Sequence, residues 1–216
     1  MAAPTTIHPV YLQHHFSDAG QQRESAKLGM WIFLLTEILL FGGLFVAYGI
    51  FRNWYPEMFL NAHKQLDIFL GTVNTVVLIT SSLTMALAIR CTRVNQRKQT
   101  VYFLTVTLVL AATFLLIKYF EYAHKFELGQ LPGKFYSFEG LVGNNPHIFF
   151  SIYFAMTGLH GLHVIIGMIV IIWMLQRTVR SHFSTEYYTP LEMTGLYWHL
   201  VDMIWIFLFP LLYLIG

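Results

Sequence analysis

Five stretches of this chain are apolar for long enough to cross a bilayer, at about 28–51, 68–89, 101–123, 147–175 and 194–214. Polar or charged segments separate them. At 1.5 Å per helical residue, about 20 residues cross ~30 Å of hydrocarbon. The alternation of a membrane barrel is absent, so the spans are predicted to be helices whose backbone groups bond internally. The fourth stretch exceeds the bilayer and is expected to tilt or protrude. Asn145-Pro146 opens it, with proline at a tolerated position. Pro210 is expected to kink the end of the fifth. The predicted fold class is all-α: a polytopic membrane protein with five transmembrane helices, occupying 28–216 as one domain. Residues 1–27 are predicted to form a polar N-terminal tail, partly disordered or laid on a partner. It lacks the apolar core of a secretory signal.

Composition supports the membrane reading. Of 216 residues, 56% are hydrophobic and 11% are charged, against about 25% charged in ordinary soluble domains. The net charge of +2 is too small to suggest a nucleic-acid partner. A single cysteine, Cys91, excludes an internal disulfide and cysteine-based zinc or iron–sulfur sites within this chain.

Basic residues predict the orientation. Arg23, Lys27, Arg90, Arg93, Arg97, Lys98, Arg177 and Arg180 share one side of a five-span layout. They account for eight of the 13 basic residues. The opposite segments mix Arg52, Lys64, Lys118, Lys125 and Lys134 with Glu57, Asp67, Glu121, Glu127 and Glu139. This places the N-terminus in the cytoplasm, and the C-terminus and the connection 125–146 outside. Trp31, Trp54 and Trp173 fall near span ends, as interfacial anchors do.

The ionisable groups inside the spans are the candidate chemistry. An ionisable residue at membrane depth faces the protein interior and has a structural or functional task. Glu37 shares a helix face with Phe33, Phe41 and Leu44. With no cation nearby in sequence, desolvation favours its neutral acid. It is either a proton-linked carboxyl or a hydrogen bond to a neighbouring helix. Gly42, Gly43 and Ala47 thin one side of the same helix. In the second span Asn74, Thr75, Ser81 and Ser82 offer packing chemistry. In the third, Lys118 and Glu121 lie one turn apart and are expected to pair near the outer interface, snorkelling to water. Glu121 could equally pair with Lys125, four residues on.

The fourth span carries His160 and His163, and the fifth carries His199 and Asp202. Two readings compete for this set. One is a metal site, since His at i and i+3 share a face. The other is a structural polar seam of His199, Asp202 and Asn74, in which the groups satisfy one another. The sequence contains no phosphate-cradling glycine loop, activated nucleophile or His-Glu-x-x-His motif. Taken alone it contains no complete active site.

Several of these runs resemble subunit III of the haem–copper respiratory oxidases. They are WIFLLTE at 31–37 with the following Phe41-Gly42-Gly43, Asn74-Thr75 through Ser81-Ser82, and the Glu121-Tyr122 pair. The strongest are TGLHGLHVIIG at 157–167 and YWHLVDMIW at 197–205. The resemblance covers nearly everything from Leu28 onward. It implies a non-catalytic accessory subunit of a proton-pumping cytochrome c oxidase in a bacterial cytoplasmic membrane. On that reading this chain holds no cofactor and no metal. Haem and copper lie in partner subunits, and phospholipid is bound. Expected partners are subunit I as the main contact and subunit II, with room for further subunits or a supercomplex.

In the resembled family the carboxyl matching Glu37 is carbodiimide-sensitive. Arg177 matches an arginine that holds a lipid phosphate, which suits a guanidinium at an interface. His160, His163 and Glu121 are further candidates for that lipid-binding cleft. The longer family form has seven helices, and this chain lacks counterparts of the first two, so what closes the cleft here is open. A quinol oxidase subunit III and a nitric oxide reductase accessory subunit share the five-helix layout. The reading from a different class is a free-standing membrane metalloenzyme using His and Asp.

Overall fold

The computed structural model describes residues 11–138, 140 and 145–215. The first ten residues of the predicted tail, Glu139 and 141–144 of the long connection lie outside the described residues. The described residues form helices and connecting turns, with no strand. The elements are α1 (Ala19–Trp54), α2 (Pro56–Ala62), α3 (Ile68–Arg93), α4 (Arg97–Glu127), α5 (His147–Val179) and α6 (Thr189–Phe209). All except α2 are long and apolar enough to cross a membrane.

Helix ends extend beyond the predicted spans because polar residues continue the helices past the hydrocarbon. The largest difference is in α1. The predicted tail ends at Lys27, but the helix already begins at Ala19, where the Asp18 carboxylate accepts a bond from the Gln21 amide at 2.9 Å. That bond occupies one of the amides a helix start leaves open. The segment 11–18 reaches the α5–α6 connection through Tyr11. Tyr11 stacks on Tyr187 at 4.8 Å, and the Gln22 side chain donates to the Tyr11 carbonyl. Pro210 ends α6 rather than kinking within it. The chain continues through a π-helical turn, Pro210–Leu214.

The helix α6 is the centre of the bundle, with 56% of its apolar stretch buried, and α1 is its periphery, with 11% buried. Two features let α6 approach its neighbours. A side chain at Gly167 of α5 would collide with the Trp198 ring, 2.7 Å from the added carbon. Along the α3–α6 seam, three hydroxyls of α3 meet three rings of α6 in antiparallel register. Trp205 donates to Thr75 at 3.1 Å, Trp198 donates to Ser81 at 2.8 Å, and Ser82 bonds His199 at 2.7 Å. Between α3 and α4 the pairs Thr84–Thr107 and Thr92–Thr100 repeat the pattern at 2.8 and 3.1 Å. Such interhelical bonds contribute roughly 0.6 kcal/mol each. At the basic end, Arg93 reaches Glu192 at 2.6 Å. Half exposed, that pair contributes about 0–1 kcal/mol.

Candidate functional site

The densest polar cluster is built around Lys118 and Glu121 of α4. The ammonium donates to Glu121 Oε2 at 2.9 Å, to the Tyr213 hydroxyl at 2.8 Å and to the Tyr153 hydroxyl at 3.1 Å. Both tyrosines in turn donate to Glu121 Oε1, at 2.8 Å from Tyr153 and 2.7 Å from Tyr213. All three ammonium protons and both carboxylate oxygens are therefore used. The Trp205 ring lies 5.0 Å from the charge. Beside the cluster, the Tyr122 hydroxyl bonds Thr157 at 2.5 Å, joining α4 to α5.

The expected Lys118–Glu121 pair is present, but its expected setting is not. Lys118 and Glu121 are 7% and 5% exposed, so neither snorkels to water. The reason lies far along the chain. The turn after Pro210 folds Tyr213 over the pair, and α5 brings Tyr153 from the other side. Lys125 does not pair with Glu121. Its ammonium lies over the Tyr153 ring at 5.2 Å and points to the Gln65 carbonyl at 3.4 Å.

Glu37 meets His163 across the α1–α5 contact, with Oε2 2.8 Å from Nε2. The other ring nitrogen faces the Leu159 carbonyl at 2.8 Å. A carbonyl only accepts, so Nδ1 carries a hydrogen, and Nε2 and the carboxyl share one more proton between them. Phe41 closes the site with its ring edge-on to the imidazole at 5.3 Å. The hydrogen-bond partner that Glu37 lacks in its sequence neighbourhood is thus His163, on another helix. Of the two readings for Glu37, the hydrogen bond to a neighbouring helix is the one with visible geometry.

His160 is fully buried between the rings of Phe114 and Trp205, at 5.5 and 5.3 Å. Neither of its nitrogens has a partner among the described residues. His160, His163, His199 and Asp202 do not assemble into a ligand set. Among the described residues no group of three or more His, Cys, Asp or Glu is placed to hold a metal ion.

The expected mutual satisfaction of His199, Asp202 and Asn74 is not seen. His199 bonds Ser82, whereas both Asp202 oxygens and both Asn74 amide atoms lack partners among the described residues. The hydroxyls beside Asn74, not Asn74 itself, carry the α3–α6 bonds. For Glu121 and His160 the lipid-contact expectation is corrected by burial, since the cluster and the aromatic sandwich enclose them. His163 is committed to Glu37 and Leu159. Arg177 stays accessible at the basic end of α5, its guanidinium 4.3 Å from the Trp173 ring centre. An apolar groove of ≈ 680 Å³ lies between α4 and α5, lined by Leu115, Tyr122, Thr157, Gly158, Gly161 and Ile165 among others.

Sequence reasoning missed Tyr153, Tyr213 and Ser82 as members of these clusters. Tyr153 and Tyr213 join Lys118 only through tertiary packing. Ser82 was visible as a small polar residue, without a signal naming His199 as its partner.

A bundle of five membrane-spanning helices, whose buried charges are mostly spent on internal bonds, defines a polytopic membrane protein with a structural polar interior. Residues 12–216 match the family described as cytochrome c oxidase subunit III, and the chain belongs to that family. It is 33% identical over 205 residues to cytochrome c oxidase subunit 3 of Thermostichus vulcanus, covering 91% of this chain and 90% of that protein. It is 32% identical over 188 residues to the subunit of the same name in Synechocystis sp., covering 87% of this chain and 74% of that one. It is also 30% identical over 195 residues to a probable quinol oxidase subunit 3 of Staphylococcus aureus, covering 89% and 90%. The chain is therefore an accessory subunit of the haem–copper oxidase type, within an oxidoreductase complex of several subunits.

Proposed function

We propose that this chain is subunit III of a proton-pumping cytochrome c oxidase that reduces O2 to water in aerobic electron transport. The chain is not itself catalytic. It packs on subunit I, keeps proton uptake fast, and protects the catalytic subunit from inactivation during turnover. Haem and copper belong to the partner subunits, with subunit II as a further neighbour. The protein lies in a bacterial cytoplasmic membrane, with the basic end and N-terminus in the cytoplasm and the C-terminus in the periplasm.

The observation that carries this reading is the outer face of α1. A side chain added at Gly42, Gly43 or Gly49 would meet nothing within 4 Å among the described residues. Small residues that serve no contact within the chain suit close approach by another helix. The peripheral position of α1 fits the same role. Cytochrome c as donor follows the names of the relatives in Thermostichus and Synechocystis, and a quinol donor is the second reading, favoured by the Staphylococcus relative.

Removing this chain from the complex tests the role. The remaining complex is expected to start O2 reduction at a near-normal rate and then to inactivate early. Immediate and complete loss of O2 reduction, with haem content unchanged, contradicts it. Phospholipid binding is assigned to Arg177, beside Trp173, with the α4–α5 groove suited to an acyl chain. Arg177→Ala is expected to reduce co-purifying phospholipid and shorten catalytic lifetime. Unchanged lipid content and lifetime contradict that assignment.

A further inference from the structure

At the basic end of the bundle, the turn between α3 and α4 and the end of α5 border an open pocket of ≈ 770 Å³. Asn95, Gln96, Arg97, Lys98 and Gln99 supply its polar lining, and Val101 and Val179 its apolar wall. Among the described residues no acid lines it. Glu192, an acid at the same end, is bonded to Arg93. The turn is held by its own backbone, with Asn95 left-handed at φ 60° and the Gln96 amide donating to the Cys91 carbonyl at 2.8 Å. Across to α5, Arg97 Nε donates to the Thr178 carbonyl at 3.0 Å. That bond fixes the guanidinium and uses one of its five donors. The other four remain as the fork that fits two phosphate oxygens.

Depth decides what this pocket meets. Val101 opens the apolar run of α4, and Arg97 lies one turn before it, ~6 Å further out along the helix. The head-group layer on each side of a bilayer is ~5–7 Å thick. The pocket therefore straddles the edge of the hydrocarbon, with its valines at the acyl boundary and its cations among the head groups. A basic pocket between helices at that level is suited to an anionic head group. A zwitterionic head group fits less well, because its own cation would meet Arg97 and Lys98 and no acid. We propose that this pocket seats the head group of an anionic phospholipid from the leaflet at the basic end, with its phosphate on the Arg97 fork and Lys98 beside it. The site is separate from Arg177, which does not line the pocket and lies over Trp173. Free inorganic phosphate shares the chemistry of the fork but has no use for the apolar wall. The proposal rests on the chain crossing a membrane and not on which electron donor its complex uses.

The test uses the intact complex in nanodiscs of phosphatidylcholine that contain a small share of a phospholipid carrying a diazirine in its head group. The probe is either phosphatidylglycerol or phosphatidylcholine, and adducts are mapped by peptide mass after irradiation. The phosphatidylglycerol probe is expected to label the segment 95–101 in excess over the phosphatidylcholine probe, by about fivefold for each of the two basic residues. Equal labelling by the two probes, or no adduct in this segment, overturns the proposal. Replacing both residues, Arg97→Gln with Lys98→Gln, is expected to make the probes equal. Lys98→Gln alone leaves the Arg97–Thr178 bond in place and decides the matter where the double variant fails to accumulate. It is expected to lower the excess about fivefold, and an unchanged excess overturns the proposal. An excess of inorganic phosphate is expected to displace no more label than chloride at equal ionic strength. Displacement by phosphate alone marks a free-phosphate site and overturns the lipid assignment. Arg177→Ala is expected to leave this labelling unchanged, and a loss as large as that of the double variant overturns a separate site. Visible spectra of the same nanodiscs keep the two levels apart. Haem bands with equal labelling defeat the head-group site alone, whereas a chain without haem-bearing partners defeats the subunit reading.

Discussion

Two ionisable pairs in this bundle have the same spacing along a helix and opposite fates. Lys118 and Glu121 on α4 form a closed cluster with Tyr153 and Tyr213, in which every charged atom is bonded. His199 and Asp202 on α6 do not bond each other. The imidazole turns to Ser82, and the carboxylate is left without a partner beside an outward-facing groove. Spacing of one turn permits a pair but does not make one. What decides is whether other elements bring bonding partners to the two groups. In the first case α5 and the turn after Pro210 do so. In the second the carboxylate is just as buried, but it forms no such closed cluster.

The Glu37–His163 contact stands between these extremes. It joins two helices and is self-satisfied, yet it lies at the edge of the bundle on its least buried span. It therefore fastens α1 to α5 without forming part of the central core.

The charged cluster is the part of the bundle most sensitive to substitution. Lys118→Met leaves the Glu121 carboxylate buried without its cation and is expected to cost about 3–5 kcal/mol. Thermal unfolding of the purified complex, followed through this subunit, reads the loss. Adding Glu121→Leu to Lys118→Met removes both charges and is expected to recover most of the stability, because a buried pair contributes little net energy over apolar residues. If the double substitution is as damaging as the single one, the cluster is more than a satisfied charge pair. Next in size, Tyr213→Phe removes a donor to Glu121 and an acceptor for Lys118, at about 1.5–3 kcal/mol for bonds to charged groups. An unchanged midpoint shows that the turn after Pro210 does not seal the cluster.

Smaller effects distinguish the other two sites. Glu37→Gln is expected to leave assembly intact, with modest effects on pumping or inactivation. Combined with His163→Gln in a double-mutant cycle, it should show a coupling of roughly 0.6–1.7 kcal/mol. Zero coupling, or loss of all O2 reduction in an assembled complex, contradicts the fastening role. Asp202→Asn breaks no bond that the chain makes to itself, and its effect on the unfolding midpoint of this subunit is expected to stay within about 0.5 kcal/mol. A loss on the scale of Lys118→Met means that the seam is closed from within, and the contrast between the two pairs then disappears.

Much of the architecture was legible because the bilayer imposes it. Long apolar runs force helices, and five such runs correspond to the five long helices α1 and α3–α6. The Lys118–Glu121 pair was legible because its partners are three residues apart on one helix. Other features depended on information that local sequence lacks. The start of α1 at Ala19 depends on the Asp18 cap and on helix continuing through polar residues that hydropathy assigns to a tail. The burial of Lys118 depends on Tyr213, 95 positions away. The partner of Glu37 is 126 positions away on α5. His199 and Asp202 share a spacing that suggests a mutual bond, and only the register of α3 against α6 shows Ser82 taking the imidazole instead.

The most direct test of the account is to purify this chain with its native partners in mild detergent, record the reduced-minus-oxidised visible spectrum, and identify the accompanying proteins by mass. The account predicts haem bands together with oxidase subunits I and II, with a copper-A signal on subunit II marking cytochrome c as the donor. A chain that purifies alone and carries its own stoichiometric iron, copper or zinc contradicts it.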